Sequence, residues 1–168
     1  MQRLNQFESE QPTAPAAEGL VAEERGGPAL RDAGEILSRI EADEAAAAAA
    51  RSAYVKAGLP VLKPDEAIAR ELRADERLHA RRSPAFLNHV DAHGADAGHD
   101  GHLYLTSDRL VHVGPATFSI HLPDIEELAI AGERLLLSLV GGRGLSLDVA
   151  EPRLLRVQIG AARGAPQT

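Results

Sequence analysis

The chain has no cysteine and no tryptophan, and it contains only two tyrosines, three phenylalanines and one methionine. The lack of cysteine excludes disulfides, thiolate metal sites and a cysteine nucleophile. No apolar run approaches the roughly 20 residues that cross a bilayer. The polar, acidic start of the chain lacks the basic and then apolar pattern of a secretory signal. These absences predict a soluble, cytoplasmic protein.

Positive charge is also scarce and dispersed. The 168 residues carry 18 Lys and Arg against 25 Asp and Glu, a formal net charge of −7, and Arg81 and Arg82 form the only adjacent basic pair. A nucleic-acid interface needs concentrated positive charge and usually aromatic stacking platforms, so we expect no nucleic-acid partner. Sixteen of the 18 basic residues are arginine and alanine is abundant, which indicates a GC-rich bacterial gene.

The first part of the chain divides into an arm and a helix. Residues 1–31 mix Pro and Gly with Glu, Gln and Ala, and this composition predicts a disordered arm because too little apolar surface offsets the entropy of ordering. A helical extension is predicted over residues 32–58. Asp32 and Glu35 have the spacing of an N-cap and its reciprocal partner, and Gly58 suits the left-handed position after the last turn.

The helix over 32–58 is open to two interpretations. It is rich in alanine, and a seven-residue apolar series runs along it: Ala33, Ile40, Ala47 and Tyr54. Such a series is typical of a coiled-coil seam, but the companion series is charged at two of three places: Leu37, Glu44 and Arg51. The helix therefore either packs on its own domain or mediates self-association.

The stretch RLLLSLVGGRGLSLDV, residues 134–149, predicts a β-hairpin. Six of its large apolar residues occupy odd positions: Leu135, Leu137, Leu139, Leu145, Leu147 and Val149. If residues 141–143 form a three-residue loop, Leu139 lies opposite Leu145 and all six side chains share one face. That face is expected to lie in the core.

A second hairpin is predicted in HLYLTSDRLVHV, residues 102–113. A turn at Ser107–Arg109 would place four apolar residues on one face: Leu103, Leu105, Val111 and Val113. A two-residue loop would instead bring Leu103, Leu105 and Leu110 together, so the register stays open. With TFSIHL and DIEELAIA on either side of Pro123, and a first strand before Ser83, the prediction is seven strands.

The remaining segments predict two helices and a long loop. Pro64 and Asp65 are a typical helix start, with Ile68 and Leu72 on one face. Residues 83–102 are rich in Gly, Asp, His and Asn without a sustained period, and they predict a loop.

A terminal helix is predicted from Pro152 to Arg163, because Leu155 and Ile159 follow helical spacing. The alternation of Leu155, Val157 and Ile159 leaves a strand as the alternative.

Three features resemble bacterial pleckstrin-homology-like (PH-like) domains close to the GRAM branch: the hairpin GHLYLTSDRLVHVG, the lead-in with Leu62, Pro64 and Glu66, and the closing helix from Glu151. The resemblance spans residues 62–163 and leaves 164–168 as a tail. It implies an α+β fold, a seven-stranded, partly open antiparallel barrel capped by the C-terminal helix and preceded by the N-terminal helical extension. It also implies non-catalytic binding of phosphoinositide headgroups, peptides or neighbouring domains.

The sequence departs from that family at two places. The terminal helix lacks the tryptophan common in pleckstrin-homology domains. The loop after the first strand carries His and Asp, whereas many lipid-binding members carry Lys and Arg there. Phosphate would therefore meet mixed charge, and Arg81 and Arg82 are the nearby basic candidates.

The histidine-rich loop is the constellation that suggests metal chemistry, because imidazole and carboxylate both bind Zn²⁺ and similar ions. The candidate metal ligands are His89, His93, His99 and His102. Gly94 and Gly98 oppose a helix that would present two of them together, so a solvated loop is the alternative. A third possibility is a pH response, since imidazoles with pKa values near 6.5 gain charge on mild acidification.

No catalytic motif accompanies these residues. Ser146 lacks a Gly-x-Ser-x-Gly context, and the glycines at 141, 142 and 144 lack the spacing of a phosphate loop. We therefore expect no enzyme activity and no cofactor, and the sequence predicts an adaptor module that binds a protein. The alternatives are peripheral membrane or headgroup binding, and a metal- or pH-responsive regulator. The candidate partner-binding residues are Arg81, Arg82, His102 and Arg109, with Asp108 and Arg109 otherwise serving as turn residues.

Overall fold

The computed structural model describes residues 28–91, 94–95 and 98–164. Most of the predicted arm, residues 1–27, lies outside the described residues, as do residues 165–168 of the predicted tail over 164–168, whereas Gly164 ends α3. The helices are α1 (Pro28–Ala57), α2 (Glu66–Ala69) and α3 (Pro152–Gly164). The strands are β1 (Leu78–Asp91), β2 (Gly94–Ala95), β3 (His99–Thr106), β4 (Arg109–Val113), β5 (Thr117–His121), β6 (Ile125–Ala131), β7 (Arg134–Leu139) and β8 (Arg143–Val149). A 3₁₀ turn, Leu122–Asp124, joins β5 to β6.

Helix α1 starts earlier than the sequence predicts. It begins at Pro28 rather than near Asp32, because proline fits the first turn of a helix, where its missing N–H costs nothing. The helix ends at Ala57, and Gly58 follows its last turn with the expected positive φ of 72°. None of the described helices is long and apolar enough to cross a bilayer.

The predicted loop over 83–102 is wrong, because β1 continues through Ser83 to Asp91 and β3 already begins at His99. Ala85 and Leu87 alternate into the core and are fully buried. Pro84 lies where the pairing of β1 with β3 shifts register between Arg82 and Ala85. A residue without an N–H is tolerated at such an irregularity.

The sheet is antiparallel throughout, and its strand order is β5-β4-β3-β1-β8-β7-β6. The sheet path thus has the predicted seven strands and is not closed, while the two-residue β2 pairs with the end of β1 outside this path. The long β1 pairs with β3 on one side and with β8 on the other. This strand therefore joins the two halves of the sheet around one core.

The β7–β8 hairpin buries its leucines as predicted, but in a different register. Leu139 lies opposite Arg143, not Leu145, and the three-residue loop is Val140–Gly142. Gly141 and Gly142 both have positive φ, which places them in this loop. Because the shift is an even number of residues, the leucines keep the core face.

The β3–β4 hairpin adopts the two-residue alternative. Leu105 lies opposite Leu110, and Ser107 and Asp108 form the loop. Arg109 is therefore the first residue of β4 and not a turn residue. Leu103, Leu105 and Leu110 face the main core, whereas Tyr104 and Val111 pack with Ile68 of α2 on the opposite side.

Helix α3 forms as predicted and closes the core. Leu155, Ile159 and Ala162 are buried in the same cluster as the leucines of β7 and β8. Burying one such aliphatic side chain contributes about 1.5–3 kcal/mol in gross transfer terms.

Helix α1 lies on its own domain, packed against α3. The side chains it buries are small or polar: Asp43, Ala47 and Ala50. The Asp43 carboxylate accepts hydrogen bonds from the backbone N–H groups of Arg153 at 2.8 Å and Leu154 at 2.9 Å. A residue of α1 therefore caps the first turn of α3, a role usually filled by the residue just before a helix.

Candidate functional site

The predicted basic candidate Arg82 is tied into the fold. Its side chain is only 10% exposed, Nε donates to the carbonyl of Ala150 at 2.9 Å, and Nη2 donates to Oε1 of Gln158 at 3.1 Å. Burial lowers the pKa of Arg82, and Glu151 lies 3.5 Å away as a counter-charge. The donors of this guanidinium are used within the chain.

The neighbouring Arg81 is exposed but paired. Its Nη1 donates to Oδ2 of Asp65 at 2.9 Å. Asp65 also caps α2 and accepts a hydrogen bond from the hydroxyl of Tyr104 at 3.1 Å. Although burial alone would raise the pKa of Asp65, the hydrogen bonds from Arg81, Ile68 and Tyr104 lower it. This pair fastens α2 to the sheet.

Arg109 is buried, with 8% of its surface exposed. Nε and Nη2 donate to the two carboxylate oxygens of Glu76 at 2.9 and 3.0 Å, and Nη1 donates to Oγ of Ser119 at 3.0 Å. Thr106 also donates to Glu76. Burial alone would raise the pKa of Glu76, but the hydrogen bonds from Arg109 and Thr106 lower it to about 2. Arg109 therefore fastens the segment before β1 to β4.

The candidate histidines that the structure describes do not all come together. The rings of His89 and His99 meet edge to face, with centroids 6.5 Å apart, and both pack against Phe118 at 5.5 and 5.1 Å. The Nδ1 atom of His102 lies 2.7 Å from Oγ of Ser83. His93 lies outside the described residues. Over residues 28–91, 94–95 and 98–164, no three His, Asp or Glu side chains converge in a way that could hold a metal ion.

His112 lies in the predicted β3–β4 hairpin and is not one of the candidate site residues. It is 2% exposed, and its Nε2 lies 3.2 Å from the carbonyl oxygen of Ala85. A carbonyl can only accept, so Nε2 carries the proton, and Nδ1 has no partner within the part of the chain that the structure describes. Burial lowers the pKa of His112. The imidazole is a neutral core group.

A groove of about 1180 Å³ lies between α1, α3 and the segment before β1. Its walls come from the last turns of α1, the linker 58–61, residues 73–79 with the turn 107–108, and the last turns of α3. The groove exists because Gly58 turns the chain away from α1 while α3 stays packed beside it.

The groove exposes aliphatic side chains. Val55 of α1 is 89% exposed and Val61 of the linker is 61% exposed, and Val157 and Ala161 of α3 line the same groove. Exposed aliphatic surface gathered in a concave place marks interaction sites more often than scattered single residues do. The sequence prediction missed this site. The sequence signal for this site was the pair of apolar residues on either side of Gly58, Val55 and Val61, which belong to no apolar helix face.

Charged groups surround these valines. Arg73 donates to Asp108 at 2.9 Å, and Glu76 is paired with Arg109 below the groove. The Nδ1 atom of His79 lies 2.8 Å from the carbonyl oxygen of Pro60, so the linker is held at one side. The groove can therefore bind an apolar segment without displacing these pairs.

No family model matches the sequence, and no curated protein matches it. Among solved structures, the chain is similar to the C-terminal domain of an unknown protein from Leishmania infantum, with a TM-score of 0.46 and 14% sequence identity. The match covers 58% of this chain and 92% of that chain.

Proposed function

We propose that the chain is a non-catalytic, PH-like and GRAM-like interaction module that binds another protein in the groove between α1, the linker 58–61 and α3. The observation that carries the proposal is the exposure of Val55 and Val61 inside a concave surface. Burial of two such side chains by a partner would release about 1.5–3 kcal/mol each in gross transfer terms. The cytoplasmic location predicted from the sequence is part of the proposal.

The order of elements supports the PH-like interpretation. Seven antiparallel strands precede a single terminal helix that packs on the core, which is the order implied by the sequence resemblance. The sheet is open between β5 and β6, as in a partly open barrel. The extension α1 is then an addition that supplies one wall of the groove.

The state of the carboxylates in the groove supports a binding role. A general base needs a pKa near the working pH, but the pKa of Glu76 is about 2 and both of its oxygens accept hydrogen bonds from Arg109. Asp108 is bound to Arg73. Both carboxylates are engaged in ion pairs that hold the groove in shape.

Membrane binding has less support. Of the two arginines proposed for headgroups, Arg82 is buried with its donors used, and Arg81 is paired with Asp65. We therefore propose a protein partner, and vesicle binding becomes an outcome of the test.

The test uses a photo-reactive amino acid in place of Val55, in cells that express the chain naturally. The matched control carries the same group in place of Leu37, which is also an exposed aliphatic of α1 at 59% but lies outside the groove. Proteins captured only from position 55 are purified, and their affinity for the full chain is measured by calorimetry, with V55D and L37D as variants.

We expect at least one purified protein to bind the chain, with V55D weakening binding about tenfold or more and L37D leaving it unchanged. Equal capture from both positions, or equal effects of the two variants, would overturn the groove as the site. Sedimentation of the chain with anionic vesicles, without binding to any captured protein, would replace the proposal with membrane binding.

A further inference from the structure

The charges around the groove do not balance once the internal ion pairs are removed. Arg73 and Asp108 neutralise each other, and Glu76 is neutralised by the buried Arg109. Three charged side chains of the lining then remain: Arg51, Arg77 and Asp75. The surplus is positive, although the whole chain has a formal net charge of −7.

Arg51 and Arg77 are placed to meet a ligand. Arg51 lies on the α1 wall and Arg77 immediately precedes β1. Both residues are exposed. Within the described ranges, neither guanidinium has a hydrogen-bond or ion-pair partner, whereas Arg39, Arg73 and Arg81, which are similarly exposed, each bind a carboxylate. Two guanidiniums next to exposed valines can bind carboxylates, for which their geometry is well suited.

The size of the groove favours a peptide segment over a small molecule. Its volume of about 1180 Å³ exceeds the roughly 300–1,000 Å³ typical of small-molecule sites. Val55, Val61 and Val157 all line the groove, so a purely ionic ligand would leave that apolar surface uncovered.

We propose, in an inference that rests on the proposed function, that the groove binds a peptide segment of a partner protein in which acidic and apolar residues are neighbours. One or two aliphatic or aromatic side chains of the segment cover Val55 and Val61, and neighbouring Asp or Glu carboxylates pair with Arg51 and Arg77. A segment with Lys or Arg beside its apolar residues is disfavoured, because it would meet these same two arginines.

The experiment selects short random peptides displayed on phage against the immobilised full chain, and then measures the affinity of the selected synthetic peptides by fluorescence anisotropy. Four variants are compared: R51E, R77E, V55D and R143E. Arg143 lies in the β7–β8 hairpin, is exposed and is outside the groove, so R143E makes the same charge change elsewhere. Circular dichroism confirms that each variant keeps its helix content.

We expect the selected peptides to be enriched in Asp and Glu next to Leu, Ile, Val or Phe. R51E and R77E should each weaken binding about three- to fivefold, R143E should have no effect, and added salt should weaken binding by the parent chain. A peptide in which Lys replaces the acidic residue should bind R77E better than it binds the parent chain.

Two other outcomes separate the two proposals. Peptides without acidic enrichment that lose affinity in V55D but not in R51E or R77E would overturn the acidic class and leave the groove as a protein-binding site. Peptides whose affinity is unchanged in V55D would overturn the groove itself, and the acidic class with it.

Discussion

Helices α3 and α1 lie side by side, yet they are held by different forces. α3 buries Leu155 and Ile159 completely in the core. α1 buries only small or polar groups, with Asp43 and Ala47 against α3, and leaves Leu37 and Val55 exposed. The difference shows that large aliphatic side chains fix the sheet and its terminal helix, whereas α1 is held by a polar contact and by small buried side chains.

The segment before β1 resembles α1 in being attached to the rest of the chain by a polar contact. Glu76 holds it to β4 through Arg109. Since both side chains are almost fully buried, this attachment should be much stronger than the exposed contact of α1 between Arg39 and Glu133.

The largest effect is expected for Glu76→Gln, which leaves the charge of Arg109 buried without its partner. We expect the free energy of unfolding to fall by about 3–5 kcal/mol at neutral pH. The measurement is urea denaturation followed by circular dichroism. A loss as small as that for an exposed residue would show that polar attachments are weak even when buried.

The same carboxylate predicts a pH dependence. Its pKa is about 2 in the folded chain and 4.5 ordinarily, so the unfolded state binds the proton more readily. The contribution is present above pH 4.5 and is lost as the pH falls towards 2, and it amounts to about 3 kcal/mol at 1.36 kcal/mol per pH unit. The parent chain should therefore lose its advantage over Glu76→Gln in this window. A difference between the two that stays constant down to pH 2 would contradict the assignment.

Ile159→Ala tests the apolar side of the contrast. Ile159 is fully buried in the main core, and truncation should cost about 2–5 kcal/mol, with Ile159→Val costing about 0.5–1.5 kcal/mol. Thermal and urea unfolding of both variants provide the measurement. If both changes cost the same, the site is not closely packed, and α3 is not held by aliphatic burial.

Asp43→Ala should have a smaller effect, of about 1–2 kcal/mol, since it removes a helix cap. Alanine favours the helical conformation of α1 itself, so the change isolates the contact with α3. Hydrogen exchange of the Arg153 and Leu154 amides should become faster. Glu44→Ala, an exposed neighbour, serves as the control and should leave those amides protected. Unchanged exchange in Asp43→Ala would show that the cap does not hold the two helices together.

The smallest effect is expected for Arg39→Gln. Arg39 and Glu133 form an exposed ion pair at 2.8 Å, and such pairs are weakened by solvent and salt. A double-mutant cycle with Glu133→Gln should give a coupling close to the error of unfolding measurements. A large coupling that survives high salt would mean that surface charges fix α1 as firmly as buried groups do.

Elements with a clear period were predictable from the sequence. The leucines of β7 and β8 alternate, and Leu155 and Ile159 of α3 are spaced as on a helix, so local geometry alone placed them on one face. The second half of β1 was missed because Pro84 and the polar residues around it are typical of a loop. That half is a strand because β3 and β8 pair with it on both sides, and these contacts are not local.

The site was less predictable than the fold. Glu76 and Arg109 are 33 positions apart, and the groove combines segments from α1, the start of β1 and α3. Only the folded chain shows that Arg109 is paired with Glu76 whereas Arg77 stays exposed. The sequence did carry a signal for Asp43. It lies on the same helix face as Ala47 and Ala50, at a place where a coiled-coil seam would carry an apolar residue.

The cap on α3 also bears on where this chain can be divided. Asp43 and Leu154 are 111 positions apart, so a fragment that starts at residue 62 would retain every strand and still lack a hydrogen-bond acceptor for two amides at the start of its last helix. A protease cut in the 58–61 linker would leave Asp43 on one piece and the two amides that it caps on the other. The sequence pattern changes between the extension and the domain, but hydrogen bonds from Asp43 to α3 still join the two parts.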